Sequence, residues 1–176
     1  DYFIYVGDNG STNDSKEKIS KFCELEGFCP KWYKIDEDFS ESLDKRQIVL
    51  YDLQSNHGFA RGNNILIQKA SRYTPDYYLL LNNDTEVDPM FLTNLVDFQQ
   101  CYPEKKVLTP IIYYYYNKYK IWNAGGDLIW GARKYHFADK DRMMVGDNEF
   151  IPCTFITGCA LFCVPEVLMS DNKIFT

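Results

Sequence analysis

The sequence predicts an α/β fold with a mostly parallel central sheet flanked by helices. Two observations carry this. A strand, a polar loop and a helix follow one another three times, and right-handed crossovers of that kind join parallel strands. The third strand, Tyr77–Leu81, is apolar or aromatic at every position, as strands covered on both faces are.

In chain order, Tyr2–Val6 is a short apolar strand, and Gly7–Ser15 is a loop dense in turn formers. Ile19, Phe22 and Cys23 then recur at helical spacing, with Gly27 as the stop signal. Pro30–Gln47 is charged and weakly periodic, and reads as an exposed insertion. Ile48–Tyr51 is the second strand. A polar, Gly-bearing loop runs from Asp52 to Asn64, and Ile65, Ile67 and Ala70 continue into a helix. After the third strand, Asn82, Asn83, Asp84, Glu86 and Asp88 crowd into one turn. Asp88 is placed as N-cap and Pro89 as the first residue of a helix over 90–100. Val107–Tyr116 reads as a further strand. Beyond Tyr119 the alternation stops; Trp130–Asn148 has no clear period, and Phe150–Val164 is apolar ahead of a short helix at Pro165–Met169.

With 176 residues, 45% of them hydrophobic, the chain is long enough for one domain with a real core. No run approaches the roughly 20 apolar residues of a membrane span. A net charge of -6 argues against nucleic-acid partners. An anionic substrate then requires a metal or local donors to offset that charge. None of the six cysteines forms a CxxC pair or a zinc spacing, and they read as buried free thiols in a reducing cytoplasm. GxGxxG is absent, so a dinucleotide fold has no support.

Open α/β sheets bind ligands at the carboxyl edge of their strands. Carboxylate and amide oxygens in the Asn82–Asp88 turn suit a hard divalent cation, which in turn suits a diphosphate. Taken alone, the turn is equally a polar connection that starts a helix.

Several stretches in order narrow the choice: Asp8-Asn9-Gly10-Ser11-Thr12, Asn56 to Asn64, Leu79 to Asp84, Trp122-Asn123-Ala124-Gly125-Gly126 and Thr157-Gly158-Cys159-Ala160. Together they resemble the family 2 glycosyltransferases of the GT-A fold, in the rhamnosyltransferase-like branch whose metal motif is Asn-x-Asp. The resemblance covers nearly the whole chain. It implies an inverting, metal-dependent transfer from a UDP- or dTDP-linked sugar to a polysaccharide or lipid-linked saccharide. Mg2+ or Mn2+ is the implied cofactor, and Asp84 with Asn82 the metal side. Asp8, Asn9, Ser11, Arg61, Asn64 and Asn83 match nucleotide-side positions, with Asp8 accepting a hydrogen bond from the pyrimidine. Trp122, Gly125, Gly126, Thr157 and Gly158 fall on the acceptor side. Residues 1–119 then form a nucleotide-binding part and 120–176 the start of an acceptor-binding part. The implied location is the cytoplasm, with peripheral association at the inner face of the membrane.

Other readings stay open for single residues. Asp8 fits a turn role, and Arg61 a surface ion pair. His57 has no assigned role, and His136 reads as a surface residue. Trp122 suits sugar stacking, whereas core packing is preferred for Trp130. Family members begin with a strand and helix that precede the first motif here, and place their base in an acidic motif expected beyond Thr176. The chain therefore reads as an excerpt with little transfer activity of its own. The alternatives are a sugar nucleotidyltransferase and a non-catalytic sugar-nucleotide-binding domain.

Overall fold

The computed structural model describes residues 1–39, 48–146 and 150–169. It divides into two compact units, one over Asp1–Pro75 and one over Asp76–Leu168.

The first unit is the α/β part. β1 (Ile4–Asp8), β2 (Trp32–Lys34) and β3 (Ile48–Asp52) form a parallel sheet in the order β1-β3-β2. α1 (Ser15–Leu25) follows β1, and α2 (Gly58–Ala70) follows β3. The middle strand, β3, is the most hydrophobic, and Val49, Leu50 and Tyr51 are all fully buried. Tyr33, Phe39, Val49, Tyr51 and Leu53 make the core, with Ile65 and Leu66 of α2 packed against it. α1 ends where Gly27 was expected to stop it. Gly27 has φ +81°, its N–H bonds to the Glu24 carbonyl, and the Phe28 N–H bonds to that of Cys23. That double bond pattern is the Schellman cap, which needs a residue free to adopt positive φ.

Two expectations change here. Within the stretch expected to be an exposed insertion, Trp32–Lys34 is a sheet strand and Tyr33 is core; residues 40–47 lie outside the described residues. α2 begins at Gly58, so Arg61 and Asn64 are helical rather than loop residues. Its start escapes a periodicity reading because polar Arg61, Asn63 and Asn64 fill its first turns.

In the second unit, β4 (Tyr78–Leu81) carries the third apolar run. Tyr78 and Leu80 are buried, whereas Leu81 is exposed, so the strand is not covered on both faces throughout. β4 pairs antiparallel with β10 (Ala160–Cys163), which pairs antiparallel with β5 (Val107–Leu108). α3 (Phe91–Cys101) starts two residues after the Pro89 expected to open it. Asp88 does not cap it: its Oδ1 accepts the Met90 N–H at 2.8 Å within the turn before the helix. The expected strand 107–116 is broken around Thr109 and Pro110, since proline has no N–H to give a ladder. Its second half is β6 (Ile112–Tyr114), paired in a hairpin with β7 (Asn117–Asn123). A second hairpin joins β8 (Gly126–Ile129) to β9 (Ala132–Tyr135), and α4 (Pro165–Met169) closes the described chain. Trp130, expected in the core, is instead fully exposed at the tip of the β8–β9 hairpin. Ile121, Ala124 and Val145 form a small core behind the hairpins.

The six cysteines are all unpaired. Only Cys23 and Cys163 are buried, so the expectation of buried thiols fails for the other four. Burial on β10 pushes the Cys163 thiol up to about 12.

Candidate functional site

In the first unit the loops after β1 and β3 leave the same carboxyl edge, because the strands are parallel neighbours with Asp8 in register with Asp52. Asp8 is 6% exposed. Its Oδ2 accepts the Ser11 N–H at 3.2 Å, and its backbone carbonyl accepts the Leu53 N–H at 3.0 Å. The turn role is therefore real. It still leaves the other carboxylate oxygen without a hydrogen-bond partner among the described residues.

Asn9 ties the two loops together. Its Oδ1 accepts the His57 N–H at 2.9 Å, and its Nδ2 donates to Asn56 Oδ1 at 3.3 Å and the Gly58 carbonyl at 3.2 Å. Asn56 Oδ1 also takes the Gly58 N–H at 2.8 Å. Gly10 makes this closeness feasible. It sits at φ +81°, and a Cβ there would stand 2.7 Å from the backbone N of Asn56. Both ends of the Asn9 amide are thus occupied by the protein itself.

Arg61, on α2, is exposed and makes no ion pair among the described residues. Asn64 is half-buried one turn further on, and Ser11 is exposed. His57 Nε2 lies 3.0 Å from the Leu53 carbonyl, a contact that holds its own loop. Sequence reasoning missed the Lys16–Asp52 pair at 2.9 Å. The Lys16 ammonium, with help from the Gln54 N–H, holds the Asp52 carboxyl below the usual carboxylate range. No local signal announces this pair, which joins a helix to a strand 36 residues away.

In the second unit, the Asn82-Asn83-Asp84 turn follows β4. The Asn82 N–H donates to the Cys159 carbonyl at 2.9 Å, and Thr85 Oγ1 donates to the Asn82 carbonyl at 2.7 Å. These bonds fix the turn's backbone, while Asn83 and Asp84 face out, exposed. The three carboxylates of the turn differ in their commitments. Glu86 is paired with Lys118 at 3.0 Å, which, with the Tyr115 hydroxyl, holds its carboxyl below the usual range. Asp88 uses one oxygen on Met90. Asp84 has no hydrogen bond or ion pair among the described residues. Its charge acts on the Cys159 thiol, pushed up mainly by burial and further by Asp84.

No three His, Cys, Asp or Glu side chains converge on a point among the described residues. Magnesium, however, is usually held by one or two carboxylates together with substrate phosphates and water, not by a full protein cage. An uncommitted, solvent-facing Asp84 beside the Asn82 amide fits that demand.

The acceptor-side residues of the sequence reading gather in part. Trp122, Thr157 and Gly158 line an open cleft of about 620 Å³ together with Tyr114, Arg133 and Phe155. Gly125 and Gly126 lie behind it, where the close approach is to the protein's own chain. A Cβ on Gly126 would stand 2.4 Å from the Lys134 carbonyl, and one on Gly125 2.8 Å from Cys153 Sγ. His136, expected on the surface, is half-buried, with Nε2 2.9 Å from Asp127 Oδ2. Leu128, Arg133 and Tyr135 line the cleft, so by strand alternation Asp127 and Lys134 point to the opposite face of the hairpin.

Comparison with known protein families gives a match over most of the chain. The model of glycosyl transferase family 2 matches residues 1–162. The chain belongs to that family, whose members have the GT-A fold. No match was found among curated proteins or among solved structures. No helix among the described residues is long and apolar enough to cross a membrane.

Proposed function

We propose that this member of glycosyl transferase family 2 transfers a sugar, with inversion, from a UDP- or dTDP-linked donor to a polysaccharide or lipid-linked saccharide. The setting would be the cytoplasmic face of a membrane, and the rhamnosyltransferase-like branch fits the Asn82-x-Asp84 spelling of the turn. The observation that carries the reading is Asp84, the one carboxylate of its turn with no protein partner among the described residues.

A Mg2+ or Mn2+ ion held through Asp84, with Asn82 beside it, would supply positive charge to offset the diphosphate leaving group. In the first unit, the Asp8 oxygen with no partner among the described residues would accept the N3–H that uracil and thymine both carry. Burial makes that acceptor selective, since a ligand without a donor there leaves the carboxylate unpaired. Asn9 acts indirectly, holding the two loops in place, while Ser11 keeps the Asp8 carboxylate oriented. Arg61, with no carboxylate partner among the described residues, offers a fork of donors to phosphate oxygens. Asn64 and Asn83 complete the nucleotide side. On the acceptor side, the exposed face of Trp122 offers a stacking platform for a sugar ring. The division into a donor part over 1–119 and an acceptor part from 120 onward goes with these roles.

Calorimetry with UDP and with dTDP, with and without Mn2+, tests the reading. Binding is expected to be metal-dependent in the wild type, and Asp84→Ala is expected to abolish that dependence. Equal binding by wild type and variant in Mn2+ would remove Asp84 as the ligand.

A further inference from the structure

The cleft of the second unit has an unusual charge pattern for so acidic a chain. Acidic residues outnumber basic ones by 25 to 19 overall. Yet among the described residues lining the cleft (Tyr114, Trp122, Asn123, Arg133 and Phe155 among them) there is no carboxylate, and Arg133 is the one charged side chain. Arg133 forms no ion pair or hydrogen bond among the described residues. Its guanidinium lies over the Phe155 ring, 5.9 Å from the centroid. That ring is held edge-on by Tyr135, at 5.3 Å between centroids. Trp122, 42% exposed, lines the same cleft.

From this we infer that the cleft binds an acidic saccharide, one carrying a carboxylate or a phosphate, and that Arg133 is the residue that reads the acidic group. The inference rests on the reading of the cleft as the acceptor side. Trp122 would take the apolar face of a sugar ring. Stacking on Phe155 limits the freedom of the guanidinium, so less order is lost when it bonds a ligand. Its fork of N–H donors matches the two oxygens of a carboxylate or phosphate. A neutral sugar would leave that fork facing water and gain nothing from it. Carboxylate and phosphate share this chemistry, and the two are separated by the test below.

The test uses the chain itself and three methyl glucosides that differ at one carbon: the neutral sugar, its 6-uronate and its 6-phosphate. The Trp122 indole N–H is followed by NMR titration, assigned with Trp122→Phe. The acidic glycosides are expected to bind at least about tenfold tighter than the neutral one, a difference of about 1.4 kcal/mol. Arg133→Gln is expected to bring the three within about twofold of one another, as loss of a charge-assisted bond predicts. Lys134→Gln removes the same charge from the opposite face of the hairpin and is expected to preserve the preference. A tighter uronate identifies a carboxylate-bearing acceptor, and a tighter phosphate a phosphorylated one. Equal affinity for all three, no shift with any of them, or a preference that survives Arg133→Gln overturns the inference. The failures are separable. A neutral glycoside that binds as well as the acidic ones leaves the acceptor cleft standing and removes only the role of Arg133. Absence of metal-dependent UDP or dTDP binding strikes the glycosyl-transfer reading whatever happens at Arg133.

Discussion

Gly10→Ala isolates the physical reason for the glycine in the Asp8-Asn9-Gly10-Ser11 loop, because the molecule supplies its own control. Gly10 and Gly27 share a φ of +81°. A Cβ on Gly27 meets nothing within 4 Å, whereas one on Gly10 stands 2.7 Å from Asn56 N and Ser55 C and 2.9 Å from Ser55 Cα. Both substitutions incur the left-handed penalty of an L-residue, about 1–2 kcal/mol. Only Gly10→Ala adds a collision, and it is with backbone, which cannot rotate away. Overpacking of that kind costs about 1–3 kcal/mol more. The expected loss is therefore about 1–2 kcal/mol for Gly27→Ala and about 2–5 kcal/mol for Gly10→Ala. Urea unfolding of both variants against wild type measures it. Since the displaced backbone is that of Ser55 and Asn56, the Asn9–Asn56 and Asn9–His57 bonds should loosen as well. Amide exchange at His57 should then rise in Gly10→Ala and stay unchanged in Gly27→Ala. Equal destabilisation of the two variants would refute the argument from close approach and leave backbone conformation as the sole reason for the glycine.

The Lys16–Asp52 pair predicts a pH dependence. The Asp52 carboxyl is held below its ordinary value, so its contribution is complete above the ordinary aspartate pKa of about 3.9. It is lost as pH falls through the lower folded value. Lys16, raised by the same bond, contributes below the ordinary lysine value and loses that contribution as pH rises through its folded value. Urea midpoints below pH 4, on the order of the aspartate pKa, should therefore fall less steeply in Asp52→Asn than in wild type; parallel curves would count against the pair. Asp127→Asn should leave donor turnover within about twofold, because its carboxylate is held by His136 on the face away from the cleft, whereas loss of a general base costs about 10²–10⁴-fold. A drop of that size would make Asp127 the base.

Much of the local structure around the candidate site was legible because its signals are local. Asn9 and Gly10 after an apolar strand read as a tight polar turn, although Gly7 and Asp8, expected in the loop, are the end of β1 itself, and Asn82 to Asp84 after Tyr78–Leu81 is the same grammar. Where residues far apart in sequence decide the outcome, local reasoning fell short. Asn9 looks like a ligand contact in sequence, yet its amide bonds residues 47 to 49 positions away. Trp130 was placed in the core on hydrophobicity alone, but the two-residue turn between Ile129 and Ala132 carries it to a hairpin tip.

The sequence by itself determined the α/β class, the parallel first sheet, the two polar loops at its edge and the glycine that ends α1. Each of these follows from apolar runs, turn chemistry and backbone freedom, which act within a few residues. Tertiary structure alone decided which polar groups remain available. Glu86 and Asp84 are both carboxylates of one turn, but only Glu86 has Lys118 to pair with. Arg133 and Lys134 are adjacent cations, but strand alternation turns only Arg133 into the cleft. Availability depends on which distant side chain arrives at hydrogen-bond distance, and that distance is set by packing, not by spacing along the chain.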